Sequence, residues 1–138
     1  MAATTLVDTG PLVALVDRNQ SAHGKCLAAH ESIPAPLVTT WPCLTEAMYF
    51  LEGIGGWRSQ KILWNFIERH GVELHTPNAN EADRIRALMD KYSDTPMDLA
   101  DASLVATAET RQLRRVFTLD SDFRVYRAND SEPFEVVP

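Results

Sequence analysis

Short apolar runs alternate along the chain with longer segments whose apolar residues recur every three or four positions. Short runs rich in β-branched residues predict strands, and the 3.6-residue period predicts amphipathic helices. The strands are predicted at Thr4–Val7, Leu37–Thr40, Val72–Thr76, Val116–Leu119 and Phe134–Val137. The helices between them are predicted at 11–18, 22–32, 41–52, 57–70, 78–91 and 96–111. Strands that alternate with helices in this way are typical of an α/β protein with a parallel sheet.

The segment Gly53-Ile54-Gly55-Gly56 predicts a flexible turn between two of these helices. The two helices would then form a hairpin. Trp57 and Trp64 lie on its second helix, and their size suits either the core or a contact with another protein. The turn is too short to link two domains, so a chain of 138 residues predicts a single domain over residues 1–138.

Charge and composition narrow the class of protein. A net charge of −6 argues against a broadly basic nucleic-acid binder, although it leaves room for an enzyme with local basic residues. No apolar run approaches the roughly 20 residues that span a bilayer, and the first residues lack the basic start of a secretory signal. Cys26 and Cys43 are isolated thiols without metal-ligand spacing. Together these features predict a cytoplasmic protein that does not enter a membrane.

The helical stretch 96–108 carries acidic residues at one end and small apolar residues along the rest. Pro96 suits the first position of a helix, and the alanines allow close packing against a sheet. Asp98 and Asp101 are three residues apart and so share one face. The helix dipole is enough to favour a carboxylate in the first turn. Two carboxylates on one face, however, favour a cation site.

Further acidic residues follow the other predicted strands. Together with the pair just described they are Asp8, Glu46, Asp98, Asp101, Asp120 and Asp122. Any one of them alone fits a helix cap. The carboxyl ends of parallel strands meet at one edge of a sheet, however, and carboxylates about 4 Å apart repel by roughly 1–4 kcal/mol per pair. We therefore expect a counter-ion or raised pKa values there, and an all-oxygen cluster favours Mg²⁺ or Mn²⁺.

A hard dication at such a cluster activates water and neutralises charge on phosphate oxygens, which predicts a phosphodiester substrate. Arg124 and Arg127 come just after the last acidic residues and are the candidates for contacting phosphates of that substrate. A second basic group lies at the opposite edge of the predicted sheet and is interpreted as structural. Its members are Arg111, Arg114 and Arg115.

The acidic residues stand in four short motifs. They are Val7-Asp8-Thr9-Gly10-Pro11-Leu12, Thr45-Glu46-Ala47, Met97-Asp98-Leu99-Ala100-Asp101-Ala102-Ser103-Leu104 and Thr118-Leu119-Asp120-Ser121-Asp122-Phe123. With these motifs in this order, the chain resembles PIN-domain proteins, and more closely the VapC-type toxin ribonucleases of type II toxin–antitoxin systems. The resemblance implies a three-layer fold with a five-stranded parallel sheet flanked by helices. It also implies a Mg²⁺- or Mn²⁺-dependent endoribonuclease, a homodimer, and a cognate antitoxin that inserts into the groove and blocks the acidic residues.

The resemblance also assigns roles. Asp8, Glu46, Asp101 and Asp120 match the acidic catalytic positions of the family. Asp8 and Asp101 would be the main metal ligands, Asp120 would complete the cluster, and Glu46 would hold a water molecule or act as the base. Two neighbouring acids are added as candidate metal ligands, and two hydroxyl residues resemble those that hydrogen-bond around the site. These are Asp98 and Asp122, and Thr9 and Thr118.

Three alternatives stay open at this point. The first is a PIN nuclease of RNA processing or decay without a toxin role. The second is a catalytically silent module that binds RNA or a protein, which the full set of acidic residues disfavours. The third is a phosphomonoesterase with an aspartate nucleophile, which is weaker because Gly10 stands where such enzymes commonly have a second acid.

Overall fold

The computed structural model describes residues 2–138 and has a parallel sheet at its centre. The chain contains the strands β1 Thr5–Val7, β2 Leu37–Thr40, β3 Val72–His75, β4 Arg115–Phe117, β5 Arg127–Ala128, β6 Glu132–Pro133 and β7 Glu135–Val137. Five of them form the sheet in the order β3-β2-β1-β4-β7, and every neighbouring pair is parallel. The predicted five-stranded parallel sheet is confirmed.

Helices cover both faces of this sheet. They are α1 Thr9–Val16, α2 His23–Ser32, α3 Trp41–Glu68, α4 Ala79–Lys91 and α5 Leu99–Arg111. One buried cluster joins residues of α4 and α5, such as Leu88 and Leu104, to the sheet. A second joins residues of α1, α2 and α3, such as Leu12, Cys26 and Leu63. The three-layer α/β architecture is therefore confirmed.

Helix α5 begins later than predicted. Its first residue is Leu99, and Pro96 lies before the helix instead of opening it. Asp98 is the N-cap, because its side chain accepts a hydrogen bond from the Asp101 N–H while the Asp101 side chain accepts one from the Asp98 N–H. This reciprocal capping box sets the start of the helix.

The glycine-rich turn lies inside α3. The backbone leaves helical geometry at Gly55 and Gly56, and Gly56 has a φ of 62°, which favours glycine. The Gln60 side-chain amide donates to the Met48 carbonyl at 3.1 Å. Twelve residues would span about 18 Å in a straight helix, so the chain folds back at the glycines. The predicted hairpin is therefore present.

The short antiparallel pair β5–β6 was not predicted from the sequence. Each strand has two residues, which is too short to show a period of hydrophobicity. The predicted strand 116–119 is also displaced, because β4 ends at Phe117 and Leu119 lies outside it with 43% exposure. Among residues 2–138, none of the helices combines the length and hydropathy that crossing a membrane needs.

Candidate active site

Asp8 follows β1 at the carboxyl edge of the sheet and caps α1. It is 7% exposed, and both of its carboxylate oxygens are held. Oδ1 accepts the Thr9 N–H at 2.8 Å, and Oδ2 accepts the Thr118 hydroxyl at 2.8 Å. The buried Cys43 thiol lies 3.7 Å from Oδ1. These contacts fix the orientation of the Asp8 carboxylate.

Asp101 lies in the first turn of α5, with a side chain that points into the protein. The residues that follow it to Ala108 are all buried, because small side chains allow this helix to pack closely on the sheet. Oδ2 of Asp101 accepts the Tyr126 hydroxyl at 3.0 Å and the Asp98 N–H at 3.5 Å. The Tyr126 side chain is fully buried, so this hydrogen bond is shielded from water.

Asp120 comes shortly after β4 and caps a short 3₁₀ helix, Ser121–Arg124. Its Oδ1 accepts the Asp122 N–H at 2.9 Å, and its own N–H donates to the Thr118 hydroxyl oxygen at 3.0 Å. Thr118 thus bonds to Asp8 through its hydrogen and to Asp120 through its oxygen. One hydroxyl group couples the positions of two carboxylates.

The three aspartates meet at one place. One carboxylate oxygen each of Asp8, Asp101 and Asp120 lies within 4.8 Å of the others, and we call these residues the aspartate triad. No Lys, Arg or His nitrogen in residues 2–138 lies within 4.0 Å of these carboxylates. The triad is therefore a concentration of negative charge without a cation from the described chain.

Burial and mutual repulsion make this charge costly. Burial raises the pKa of Asp8, and the charges of Asp120 and Asp98 raise it further, against the hydrogen bonds from Thr118 and Thr9. Burial, together with the charges of Asp98 and Asp8, raises the pKa of Asp101 to about 7. A divalent cation with a preference for oxygen ligands would relieve this repulsion, and a set of three carboxylates suits such an ion. The residues present therefore fit a divalent metal.

The other predicted acids lie outside the triad. Glu46 on α3 is half-buried. Its Oε1 accepts a hydrogen bond at 2.9 Å from the hydroxyl of Thr9, the residue that follows Asp8. Asp98 is exposed and occupied with the capping box, while Asp122 is half-buried beside Asp120. The chain therefore brings three of the six acids into direct proximity and arranges the others around them. Their separate catalytic and metal-binding roles stay predictions.

The two predicted phosphate-binding arginines differ in their contacts. Arg127 directs Nη1 at the carbonyl oxygens of Arg124, Val125 and Tyr126, at 2.8–3.2 Å, and so closes the turn that follows the 3₁₀ helix. The Arg124 side chain is exposed and makes no ion pair within residues 2–138. Within residues 2–138, the guanidinium of Arg127 is thus partly engaged by the backbone, whereas that of Arg124 makes no ion pair.

Sequence reasoning missed Tyr126 and Cys43 as neighbours of the triad. Tyr126 donates to Asp101 from a position 25 residues further along the chain, and Cys43 contacts Asp8 from a different helix. Burial raises the pKa of the Cys43 thiol, so the group stays protonated and neutral beside Asp8. Neither residue belongs to a spacing pattern that would have identified it.

Comparisons with known proteins place this geometry in context. The chain is 25% identical over 134 residues to Ribonuclease VapC26 of Mycobacterium tuberculosis, covering 96% of this chain and 99% of the relative. It superposes on the crystal structure of Mycobacterium tuberculosis VapC20, a Sarcin-Ricin loop cleaving toxin, with a TM-score of 0.83 at 20% identity, covering 97% and 99% of the two chains. A toxin–antitoxin complex from Klebsiella pneumoniae gives a TM-score of 0.69 at 20% identity, covering 99% of this chain and 97% of the other.

A family model gives the assignment directly. The model of the PIN domain matches residues 5–129, a range that runs from β1 through the triad to the β5–β6 turn. Because that match covers most of the chain and includes all three triad residues, this protein belongs to the PIN domain family.

Proposed function

We propose that this protein is an endoribonuclease of the VapC type, the toxin of a toxin–antitoxin pair, and that it hydrolyses RNA phosphodiester bonds with Mg²⁺ or Mn²⁺. The observation that carries the proposal is the aspartate triad, which gathers three carboxylates without a cation from residues 2–138. PIN-family membership and the ribonuclease relative, which matches nearly the whole chain, support it. The free thiols suit a cytoplasmic location.

The metal would be held by Asp8, Asp101 and Asp120. When bound, it supplies positive charge that activates water and stabilises the negative charge on the phosphate in the transition state. Thr118 and Tyr126 restrain the Asp8 and Asp101 carboxylates, because each donates a hydrogen bond to one carboxylate oxygen. Asp98 and Asp122 contribute negative charge from the rim.

Glu46 is the proposed base. Its Oε1 is occupied by the Thr9 hydroxyl, which fixes the carboxylate, and its Oε2 makes no hydrogen bond within residues 2–138. The free oxygen can accept the proton of the attacking water molecule while the fixed oxygen holds the side chain in place. Cleavage would leave a 5′-phosphate and a 3′-hydroxyl.

An apolar groove beside the site supports the proposed antitoxin. Thr9, Phe50, Ile54 and Leu119 are among the residues that line a groove of about 470 Å³, and Thr9 is next to Asp8. Phe50 and Ile54 are 53% and 43% exposed, and an apolar peptide segment would bury them. We propose that the antitoxin lies in this groove and reaches the triad, and that the active protein is a homodimer.

Expression in growing cells tests the proposal. We expect wild-type protein to arrest growth and to generate new RNA ends, and we expect Asp8→Asn and Glu46→Gln to do neither while accumulating to the same level. Purified wild-type protein should cleave RNA with Mn²⁺ and stop when EDTA is added. RNA cleavage without growth arrest would indicate an RNA-processing nuclease instead of a toxin. Full activity of Asp8→Asn would refute the assignment of the site.

A further inference from the structure

A small cavity lies beside Asp120 of the aspartate triad, near the carboxyl ends of β4 and β7. It has a volume of about 130 Å³, and Thr118 and Asp120 form one wall. Both belong to the site already described, since Asp120 is a triad member and Thr118 donates to Asp8. Lys25 from α2 and Arg124 from the 3₁₀ helix form part of the remaining wall. The cavity thus places one carboxylate of the triad, Asp120, beside two positive side chains.

These two cations differ from most others on the protein. Six of the thirteen lysine and arginine residues make ion pairs with acidic side chains within residues 2–138, and Arg127 is bound to backbone carbonyls. Lys25 and Arg124 do neither, although the chain has a net charge of −6 and Asp120 lines the same cavity. Both are exposed, so their charges are available to a ligand.

We infer that Lys25 and Arg124 form a binding subsite for an RNA backbone phosphate next to the phosphodiester that is cleaved. This inference rests on the proposed ribonuclease function. Lysine and arginine side chains bind phosphate oxygens through charge-assisted hydrogen bonds, and arginine does so with two parallel donors. A phosphate in this cavity would be adjacent to the triad through Asp120, so the subsite would position the RNA strand along the carboxyl edge.

The subsite also answers an electrostatic problem. RNA carries a negative charge at every phosphate, and the triad and its surrounding acids repel it. A metal held by the triad would neutralise only the phosphate that it contacts. Lys25 and Arg124 would compensate the charge of a neighbouring phosphate, which explains why the chain leaves two cations unpaired beside its acidic centre.

Binding measurements with a short, fluorescein-labelled, single-stranded RNA test the subsite. The Asp8→Asn background removes cleavage, so equilibrium binding can be followed by fluorescence anisotropy. Lys25→Gln and Arg124→Gln should each raise the Kd about tenfold. Each should also reduce the slope of log Kd against log salt concentration by about 0.7, the value expected when one contact to a single strand is lost.

Arg69→Gln is the matched control, because it removes one exposed cation that makes no ion pair within residues 2–138. Arg69 lies at the opposite edge of the sheet, between α3 and β3. It should leave the Kd within about twofold, since charges farther apart than about 10 Å are largely screened at 0.1 M salt. Equal weakening by all three variants would show a general effect of net charge and would overturn the subsite. The unfolding temperatures of the variants should match, since all three side chains are exposed.

RNAs with one neutral methylphosphonate linkage at successive positions locate the contact. If Lys25 and Arg124 bind a particular phosphate, neutralising that phosphate should abolish the difference in Kd between the Asp8→Asn protein and its Lys25→Gln derivative. A difference that persists at every position would overturn the subsite. The ribonuclease proposal fails in a separate way, namely if wild-type protein with Mn²⁺ does not cleave RNA at all.

Discussion

The two edges of the sheet differ in whether their charged side chains form ion pairs. At the amino edge, where the strands begin, three arginines each meet a glutamate: Arg111 with Glu73 at 3.0 Å, Arg114 with Glu132 at 2.7 Å, and Arg115 with Glu135 at 3.1 Å. At the carboxyl edge, the triad has no such partner within residues 2–138. Within the described residues, the arginines of the amino edge are paired and the carboxylates of the triad are not.

The contrast separates paired, partly exposed charges, which change the stability of the fold little, from buried charges that have no partner among the described residues. Partly exposed ion pairs like those at the amino edge contribute little, since water and salt screen them. Buried carboxylates without a counter-ion oppose folding, and a fold retains them only where they have another use. The basic residues interpreted as structural from the sequence, Arg111, Arg114 and Arg115, lie at the amino edge and are paired there. The metal-binding proposal depends on the carboxylates of the carboxyl edge.

The largest effect is expected from a change to the triad itself. Asp101→Asn keeps the shape of the side chain but removes one of the charges that would hold the cation, so RNA cleavage should fall by at least about a thousandfold. The rate of cleavage with Mn²⁺ measures this effect. Glu135→Gln removes one carboxylate from the amino edge and should leave the rate unchanged. If both variants lose a comparable share of the cleavage rate, the two edges do not differ in their contribution to cleavage.

The second effect concerns the free energy of unfolding, which should depend on pH through the carboxylates of the carboxyl edge. The pKa of Asp101 is about 7 in the folded protein against 3.8 in the unfolded chain, so the folded state binds the proton more tightly. Stability from this group is present at low pH and is lost as the pH rises through 7. In EDTA, the wild-type free energy of unfolding should fall by a few kcal/mol relative to Asp101→Asn between pH 4 and pH 8, because each pKa unit is worth about 1.4 kcal/mol.

Urea unfolding at several pH values provides this measurement. The comparison with Asp101→Asn isolates the titration of Asp101 together with its effect on the neighbouring carboxylates. Mn²⁺ should restore the wild-type stability at pH 8 and have little effect at pH 4, because protonated carboxylates bind metal poorly. If wild type and Asp101→Asn show the same pH dependence in EDTA, burial and the neighbouring carboxylates do not raise the pKa of Asp101 in the folded protein.

Much of this comparison could be predicted from the sequence, because parallel strands bring their carboxyl ends to one edge. Asp8 and Asp120 each follow a strand by one to three residues, and the strand positions followed from short apolar runs. Arg111 was placed at the other edge of the sheet from the acidic residues because it lies at the end of a predicted helix. The single domain over residues 1–138 and the homodimer stay predictions.

Other features depend on contacts between distant residues and could not be predicted. The spacing of Asp98 and Asp101 puts both on one face, but only Asp101 belongs to the triad, because Asp98 is the exposed N-cap and Asp101 is buried in the first turn of α5. The cavity pairs Lys25 with Arg124 across 99 residues of sequence. Such pairs arise from the packing of helices on the sheet, and no local pattern encodes them.

Tyr126 provides a smaller and more selective perturbation of the charged edge. Its ring packs between Tyr92 and Phe123, each with a centroid distance of 5.1 Å, so Tyr126→Phe should keep the core intact. Loss of the hydroxyl removes a hydrogen bond to Asp101, which raises the Asp101 pKa further and frees the carboxylate to rotate. Cleavage should fall about tenfold, a cost typical of a lost hydrogen bond to a charged group.

The metal and pH dependence of cleavage distinguish positioning by Tyr126 from a loss of stability. In Tyr126→Phe, the Mn²⁺ concentration for half-maximal cleavage should increase, and the acidic limb of the pH–rate profile should move to higher pH. Leu88→Val alters the same buried cluster from α4, which carries no residue of the triad, and should move neither. A Tyr126→Phe protein with reduced rate but wild-type metal and pH dependence would argue against a positioning role.

The smallest effect is expected from the amino edge. Glu135→Gln removes the partner of Arg115, but the two side chains are 61% and 38% exposed, so solvent already screens their attraction. The free energy of unfolding should fall by less than about 1 kcal/mol, and the change should diminish further at high salt. A loss of several kcal/mol, measured by urea unfolding at pH 7, would mean that the ion pairs of this edge support the fold more than their exposure implies. The ion pairs of the amino edge would then stabilise the fold, whereas the comparison above treats their contribution as nearly zero. The carboxylates of the triad would still destabilise it.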